Sequence, residues 1–422
     1  MLEDAKINPH ENLPILTAIN GIFAKAPQEV LPQELASKLY TNRKLLHGSI
    51  TRFEQFFNCP FKHFAHYALN LQERKEFNFA APDLGILLHA IMHKFGNYLA
   101  NNNRSWQSIS QQECNDICED IVAKLAPRLQ NQILLSSNRY KHLLARIKEL
   151  AVGSLLRLID FAKHSQFEPK AFEQNFGLKS KMPPLLLDDD NGHKIEITGQ
   201  IDRIDISDNY YLVIDYKSGN AFINLLEVYY GLKLQLLTYL LVAKNATNNL
   251  YNMKNAIPAG ILYCFLKTPQ LTSKVKLSSE QVKEEAQKQM RMPGWVLADS
   301  DIIRKIDDSL HFIKVKLNKD NTISSNSKTY VKSFEEFELL MNHIELTLKQ
   351  AGTRILQGET SIYPYKIKET TACKYCPYLA VCRFDKHVEG YNYHEIAEQN
   401  DSNIIELLQK ELTAIKKEEE EN

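Results

Sequence analysis

The fold is decided by residues Ile195–Gly219, which read Ile-Glu-Ile-Thr-Gly-Gln-Ile-Asp-Arg-Ile-Asp-Ile-Ser-Asp-Asn-Tyr-Tyr-Leu-Val-Ile-Asp-Tyr-Lys-Ser-Gly. Two runs rich in β-branched and aromatic residues flank Asp208-Asn209, and both turn residues tolerate the positive φ that a two-residue turn requires. This pattern predicts a β-hairpin centred between residues 208 and 209. In that register Asp202 lies directly opposite Asp215, with the two Cβ atoms roughly 4.5–5.5 Å apart.

One face of the predicted hairpin combines apolar and charged residues. Alternation along the second strand puts Asp215 and Lys217 on the same face. The rest of that face is apolar: Ile204, Ile206, Tyr211 and Val213. Because like charges that oppose each other across two strands are destabilising, the pair of carboxylates needs an explanation. The simplest one is a divalent cation between them; the alternative is a surface hairpin with a Lys–Asp pair.

These residues resemble the core of the PD-(D/E)XK nucleases. The matching segments are Gly199-Gln200-Ile201-Asp202 and Asp215-Tyr216-Lys217-Ser218-Gly219. The resemblance implies that Asp202 and Asp215 hold Mg²⁺ or Mn²⁺ and that Lys217 orients or activates the attacking water. It also implies an α/β fold of the restriction-endonuclease-like type, with a mixed central sheet flanked by helices.

A histidine upstream of the hairpin extends the resemblance. Gly85-x-x-x-His89 lies in a helix predicted over Asp83–Ala100. In the RecB-like subgroup of these nucleases a histidine at the corresponding point is a further metal ligand, which implies that role for His89. A histidine packed in the core is the alternative. His93, one helical turn further on, is left without a role.

A glutamine and a tyrosine downstream of the hairpin are a second mark of the RecB-like subgroup. Gln235 and Tyr239 share a face of one long helix predicted over Leu225–Ala243. The resemblance implies that both flank the catalytic site and touch the nucleic acid. In isolation they would be an ordinary helix pair.

A compact group of three cysteines lies near the end of the chain. Cys373, Cys376 and Cys382 are separated by two and five residues, and three thiolates need a fourth ligand to complete a four-cysteine site. Cys59, in Asn-Cys-Pro-Phe on the other side of the hairpin, is the best candidate. The remaining cysteines are also available: Cys114, Cys118 and Cys264.

One distant cysteine with a compact triplet resembles the 4Fe–4S staple of the AddB-type helicase–nuclease subunits. The resemblance implies a 4Fe–4S cluster held by Cys59, Cys373, Cys376 and Cys382. Zinc is the alternative metal, although zinc sites usually pair two Cys-x2-4-Cys knuckles and only one such knuckle is present. Unrelated core cysteines are the second alternative.

Composition sets the remaining bounds. The chain has 422 residues with 51 basic and 51 acidic side chains, so nucleic-acid binding must depend on a local groove and not on net charge. No apolar run reaches the roughly 20 residues of a membrane span. The first residues, Met-Leu-Glu-Asp-Ala-Lys, lack a basic region followed by an apolar one, so we expect no secretory signal. No P-loop motif occurs. We expect a bacterial cytoplasmic protein associated with the nucleoid.

The resemblance also predicts a domain organisation and a function. We expect a lead-in segment at 1–46 that is the remnant of a helicase-like region, a nuclease domain at 47–395 and a charged helical tail at 396–422. The implied activity is a metal-dependent exodeoxyribonuclease. It would process single-stranded DNA ends from unwound duplex in double-strand-break repair and recombination, beside a helicase–nuclease partner subunit with an ATPase. The alternatives are an inactive DNA-binding or scaffolding module and a stand-alone RecB-like exonuclease.

Overall fold

The computed structural model describes residues 30–42, 45–74, 79–189, 192–273 and 275–421. The helices are α1 Gln33–Tyr40, α2 Ile50–Asn58, α3 Pro60–Tyr67, α4 Ala81–Asn101, α5 Gln111–Leu125, α6 Asn138–Lys163, α7 Leu225–Tyr229, α8 Gln235–Leu250, α9 Ser279–Gln289, α10 Ser300–Ile306, α11 Phe334–Leu356, α12 Leu379–Cys382 and α13 Asp401–Glu421. The strands are β1 Thr41–Asn42, β2 Leu45–Ser49, β3 Glu168–Phe176, β4 Leu185–Asp188, β5 Lys194–Ser207, β6 Tyr210–Lys217, β7 Ile257–Phe265, β8 Gly294–Leu297, β9 Val331–Lys332, β10 Tyr365–Ile367, β11 Thr370–Thr371 and β12 His394–Glu395.

The chain forms two compact units, each built from three segments. The first unit consists of Met1–Glu73, Leu187–Ile195 and Leu348–Gln399, and the second of Arg74–Leu186, Glu196–Thr347 and Asn400–Asn422. Most of the predicted lead-in segment lies outside the described residues. In the part of the chain that is described, no helix is both long and apolar enough to cross a bilayer.

The second unit is built on a mixed sheet. Strands β3, β5 and β6 pair antiparallel, β6 and β7 pair parallel, β7 and β8 antiparallel, and β8 and β9 parallel. Strand β7 is buried along almost its whole length, as expected for a strand covered by helices on both faces. The predicted α/β fold with a mixed central sheet is confirmed.

The predicted hairpin is also confirmed. Ser207 pairs with Tyr210, which closes a two-residue turn, and Asp208 in that turn has φ +51°. Aspartate tolerates this left-handed conformation better than most residues because its short polar side chain bonds locally. The hairpin register therefore follows from the turn residues and from the alternation of the two strands.

Helices cover both faces of the hairpin and bring side chains to its end. Helix α8 lies on the Tyr211 face, where the Tyr211 hydroxyl donates a hydrogen bond to the carbonyl of Leu240 at 3.2 Å. Helix α4 approaches β3 closely at Gly96, where a Cβ atom would lie 2.6 Å from the Phe172 ring. This close approach fixes the height of α4 against the sheet and therefore the place of His89.

The prediction of one helix over Leu225–Ala243 is wrong. The chain forms α7, then a turn in which Gly231 has φ +74°, then α8 from Gln235. A left-handed glycine ends a helix because the following N–H groups turn back to its last carbonyls; here the Leu232 N–H donates to the Glu227 carbonyl at 2.8 Å. The break makes Gln235 the first residue of a new helix, directly beside the end of β6.

The first unit contains an antiparallel strand pair, a three-stranded sheet and a helical pair. Strands β1 and β2 pair antiparallel, while β10 pairs antiparallel with β11 and parallel with β12. Helices α2 and α3 pack together where the fully buried Phe56 of α2 meets the buried His63 of α3, with ring centroids 5.6 Å apart. Cys59 links these two helices as the residue between them.

Candidate active site and cysteine cluster

Two buried carboxylates lie at the end of the β5–β6 hairpin. The register continues to Arg203 opposite Ile214, so the next position along sets Asp202 opposite Asp215. Asp202 is 6% exposed and Asp215 1%. The Tyr216 N–H donates a hydrogen bond to Asp202 Oδ2 at 2.7 Å. The structure therefore brings together the two acids that the sequence predicts as metal ligands.

The two carboxylates repel each other in a site that water does not screen. Burial, followed by the charge of Asp202, raises the pKa of Asp215 to about 7, although Lys217 and His89 act in the opposite direction. A group that brings positive charge between the acids, whether a proton or a cation, therefore lowers the free energy of the site.

His89 reaches this pair from helix α4. Its Nδ1 atom lies 3.3 Å from Asp202 Oδ1, and its Nε2 atom lies 3.0 Å from the carbonyl oxygen of Tyr216. Burial alone would lower the pKa of His89, but the hydrogen bond and charge of Asp202, with Asp215 and Glu173, raise it overall. The imidazole thus lies beside the acids, at the position where a metal ligand is predicted.

Glu173 is a further acidic residue at the site, and the sequence analysis missed it. It lies in β3 between two residues that pair with the strand of Asp202, and its φ is +43°. Its Oε1 atom is 3.9 Å from His89 Nδ1, and its Oε2 atom is 3.8 Å from His93 Nδ1. Burial raises the pKa of Glu173. The two histidines lower it and the charge of Asp202 raises it, and the net result is a raised pKa. The site therefore contains three carboxylates and two imidazoles.

Lys217 connects the acids to helix α8 through a chain of polar contacts. Its Nζ atom lies 2.6 Å from Asp215 Oδ2 and donates a hydrogen bond to Gln235 Oε1 at 2.9 Å. Gln235 Nε2 in turn donates to the Tyr239 hydroxyl at 2.9 Å. The glutamine and tyrosine predicted to share a helix face are thus in contact, and together they hold the lysine over the strand end.

A buried ion pair lies on the opposite face of the hairpin and was not foreseen from the sequence. Arg203 donates to both oxygens of Asp205 at 2.7 and 2.6 Å, and both side chains are fully buried. The guanidinium also lies 5.1 Å from the ring centroid of Trp106. Removing one member of such a pair typically costs about 3–5 kcal/mol because the other charge stays buried. The pair fixes the strand that presents Asp202.

The donor set around the two acids suits a hard divalent cation. Asp202, Asp215 and the Tyr216 carbonyl supply oxygen, and His89 supplies an imidazole nitrogen, which is the chemistry that Mg²⁺ and Mn²⁺ accept. Among the described residues, no three His, Cys, Asp or Glu side chains are already arranged as a metal site. The two acids are instead paired with cationic side chains, Asp202 with His89 and Asp215 with Lys217.

The four cysteines predicted to act together all lie in the first unit. Burial raises the pKa of the Cys373 thiol to about 11, and the next contributions come from the neighbouring thiols of Cys59, Cys376 and Cys382. The chain thus brings the distant cysteine and the triplet within electrostatic reach of one another. All four are free thiols.

Cys59 has the surroundings of a thiolate ligand. Burial raises its pKa, but backbone N–H groups of Lys62, Tyr363 and Phe61 point at the sulfur and oppose that rise. Such donors stabilise a thiolate, the form that binds metal. The other three cysteines belong to the second unit and are buried there: Cys114, Cys118 and Cys264.

A comparison with protein families identifies the core. The model of the PD-(D/E)XK nuclease superfamily matches residues 47–383. The chain belongs to the PD-(D/E)XK nuclease superfamily. The matched range includes the hairpin acids, the helix histidine and the cysteine triplet of this PD-(D/E)XK chain.

Curated relatives are each named as a subunit of an ATP-dependent helicase/deoxyribonuclease. The protein from Bacillus subtilis (strain 168) is 34% identical over 401 residues, which cover 93% of this chain and 34% of the relative. The protein from Clostridium novyi (strain NT) is 34% identical over 412 residues, covering 96% of this chain and 36% of the relative. The one from Desulforamulus reducens is 35% identical over 400 residues, covering 93% and 34%. The chain spans about a third of the length of these relatives.

Asp215→Asn should stabilise the metal-free protein at alkaline pH. Because folding raises the pKa of Asp215 from 3.8 to about 7, its contribution to stability is complete below pH 3.8 and is lost as the pH rises through about 7. The variant has no proton to lose. In chelator, we therefore expect the variant's free energy of unfolding to exceed that of the wild type by on the order of 1–3 kcal/mol at pH 8, and by less at pH 5. Its melting temperature should rise above that of the wild type in the same order.

The matched control for this pH experiment is Glu168→Gln, which removes an acid that is 71% exposed in the same unit. It should show no pH-dependent gain. Two results would contradict repulsion between the acids. The first is a melting temperature of Asp215→Asn below that of the wild type at pH 8, and the second is an equal gain in melting temperature at pH 8 and pH 5.

Proposed function

We propose that this chain is a Mg²⁺- or Mn²⁺-dependent deoxyribonuclease of the AddB/RecB type that hydrolyses phosphodiester bonds in single-stranded DNA. The observation that carries the proposal is the pair of buried, facing carboxylates of Asp202 and Asp215, with His89 on one side and Lys217 on the other. A structural hairpin has no use for this costly arrangement, whereas a metal-dependent hydrolase requires it.

Asp202, Asp215 and His89 would hold the metal, with the Tyr216 carbonyl as a further oxygen. Once bound, the cation would polarise the phosphate and lower the pKa of the attacking water. Glu173, which faces His89 and His93, would orient the imidazole ring and balance its charge.

Lys217 would position the water and stabilise the negative charge that develops on the phosphate. Its ammonium group has three donors, and the contacts to Asp215 and Gln235 leave capacity for one more partner. Gln235 accepts from Lys217 and donates to Tyr239, so the pair holds the lysine in place. Both would also touch the bound strand at the mouth of the site.

Cys59, Cys373, Cys376 and Cys382 would hold a 4Fe–4S cluster. The donor set fits because the four thiols are electrostatic neighbours and backbone N–H groups support the Cys59 sulfur. In the first unit the cluster would tie the segment before the hairpin to the segment after it. Its role would be structural, because it contains no residue of the proposed catalytic site.

The relatives' name supports a wider assignment. We propose that the chain processes DNA ends in double-strand-break repair and recombination, in the bacterial cytoplasm at the nucleoid, beside a helicase–nuclease partner subunit with an ATPase. The domain boundaries at 46 and 395 remain predictions. Cleavage without such a partner would favour a stand-alone exonuclease, and binding without cleavage a scaffolding module.

Lys217→Ala and Asp215→Ala should each abolish cleavage of single-stranded DNA in Mg²⁺ or Mn²⁺. Removing one group that stabilises transition-state charge typically lowers the rate roughly 10²–10³-fold. Binding of the same strand, measured by fluorescence anisotropy, should stay within about twofold, because phosphate contacts elsewhere dominate affinity. Glu168→Gln is the control and should cleave at the wild-type rate. Wild-type cleavage by either variant would remove that residue from the mechanism.

The cysteine assignment predicts a sharp division among the seven cysteines. Cys59→Ser, Cys373→Ser, Cys376→Ser and Cys382→Ser should each cost the iron content, the brown colour and much of the thermal stability. Closing a long loop stabilises by roughly 4 kcal/mol in the analogous disulfide case.

The controls are Cys114→Ser, Cys118→Ser and Cys264→Ser, which should keep both iron and colour. Iron analysis and visible absorbance after anaerobic purification separate the two groups. A Cys59→Ser protein with full iron content and unchanged melting temperature would show that the fourth ligand lies elsewhere.

A further inference from the structure

A cavity lies beside the strand end that carries Lys217. Strand β7 pairs parallel with β6, and Phe265 on β7 is the partner of Lys217. Phe265 also lines a cavity of about 340 Å³ in the second unit. The proposed metal ligands do not line this cavity, so it is a separate feature of the molecule. Its volume is at the lower end of the range for small-ligand pockets, about 300–1,000 Å³, and suits one planar group of nucleoside size.

Aromatic rings and flexible methionine side chains form part of the cavity wall. Phe161 and Phe312 meet there with ring centroids 5.6 Å apart in an edge-to-face arrangement. Phe265, Met290 and Met292 add apolar surface, and polar side chains form the rest of the lining: Arg157, Asp160, Lys283, Gln287 and His311. Flat rings and flexible thioethers are surfaces on which planar aromatic ligands stack without regard to their hydrogen-bonding pattern.

Arg157 and Lys283 line the cavity, as does the acid Asp160, while Lys267 lies beside it with its Nζ atom 4.3 Å from the Phe265 ring centroid. Arg157 donates to the carbonyls of Phe265 at 2.8 Å and Lys267 at 3.2 Å, which fixes the chain just beyond β7. Burial lowers the pKa of Lys267, and the nearby positive charges of Arg157 and Lys314 lower it further. Among the described ion pairs none includes Arg157, Lys267 or Lys314, and Lys267 Nζ instead donates to Asn220 Oδ1. Cations grouped in this way suit a polyanion.

A second cavity also combines aromatic side chains with a lysine. It has a volume of about 260 Å³ and is lined by Lys314 together with Phe222, Trp295 and Tyr330. Lys314, whose charge acts on Lys267, therefore lies beside a second aromatic recess. The two recesses thus share aromatic walls and a neighbouring cation.

We propose that the 340 Å³ cavity receives one unstacked base of the single strand being cleaved, while Arg157, Lys267 and Lys314 bind the adjoining phosphates. The inference rests on the proposed function and names a base-binding subsite for it. A single strand carries both the negative charge and the exposed planar groups that these cations and aromatic walls suit. A duplex keeps its bases stacked and would not fill the recess.

Affinity for bases and affinity for phosphates can be measured separately in chelator, where no cleavage occurs. The probes are a fluorescein-labelled twelve-nucleotide oligothymidylate and a strand of equal length and charge made of abasic residues. Because stacking on one aromatic site changes affinity roughly tenfold, the wild type should bind the thymine strand about tenfold more tightly.

The deciding variant is Ala286→Trp, which fills the cavity from helix α9. Ala286 lines the cavity, and α9 contributes no buried residue to the core, so the fold should tolerate the change. The variant should lose at least roughly fivefold of the preference for thymine. Glu284→Trp, on the opposite side of the same helix, is the matched control and should keep the full preference.

Two further variants and one control protect the test against misfolding. Phe312→Leu keeps apolar volume but removes the ring, and should lower the same ratio. Lys267→Gln should reduce the slope of log affinity against log salt by about one, while Lys319→Gln, an exposed lysine, should leave it unchanged. Equal thymine preference in the wild type, Ala286→Trp and Glu284→Trp would overturn the proposal. Loss of metal-dependent cleavage alone would contradict the proposed function and not this subsite, because the ratio is measured without metal.

Discussion

The repulsion between Asp202 and Asp215 is the constraint on which the rest of the site depends. The hairpin register sets these residues opposite each other, and burial removes the water that would otherwise screen them. Three neighbouring groups offset this charge. His89 lies against one acid and Lys217 against the other, and the Tyr216 N–H donates to Asp202. The chain therefore compensates a buried charge with groups that can also serve a bound cation.

The buried acids lower the stability of the fold, but neighbouring side chains hold them in place. A buried acid with a pKa raised to about 7 contributes less to folding at neutral pH than an apolar residue would. The cost is contained because supporting contacts fix both strands. On the far face Arg203 and Asp205 form a fully buried pair, and on the near face Gln235 and Tyr239 hold Lys217 through hydrogen bonds of 2.9 Å. Positioned charge of this kind is what a hydrolase of phosphodiesters needs.

The sequence predicts the parts of the site that depend on local geometry. Turn chemistry and alternation suffice to set Asp202 opposite Asp215, and the spacing of one helical turn suffices to join Gln235 to Tyr239. Glu173 could not be found in this way, because its place depends on how β3 pairs with β5, and that register shifts between Pro169 and Ala171. The helix break at Gly231 was missed for a related reason. An isolated glycine is tolerated inside a helix, and only packing decides whether it ends one.

The central claim is that the facing acids form a metal site, and anomalous diffraction from crystals soaked in Mn²⁺ tests it most directly. The account predicts a Mn²⁺ peak bonded to Asp202, Asp215 and His89, with the Tyr216 carbonyl in its coordination sphere and oxygen distances of about 2.0–2.4 Å. Lys217 should then have turned from Asp215 towards the open side of the ion. A map without a peak at this position, in which Lys217 still pairs with Asp215 at saturating Mn²⁺, would contradict it.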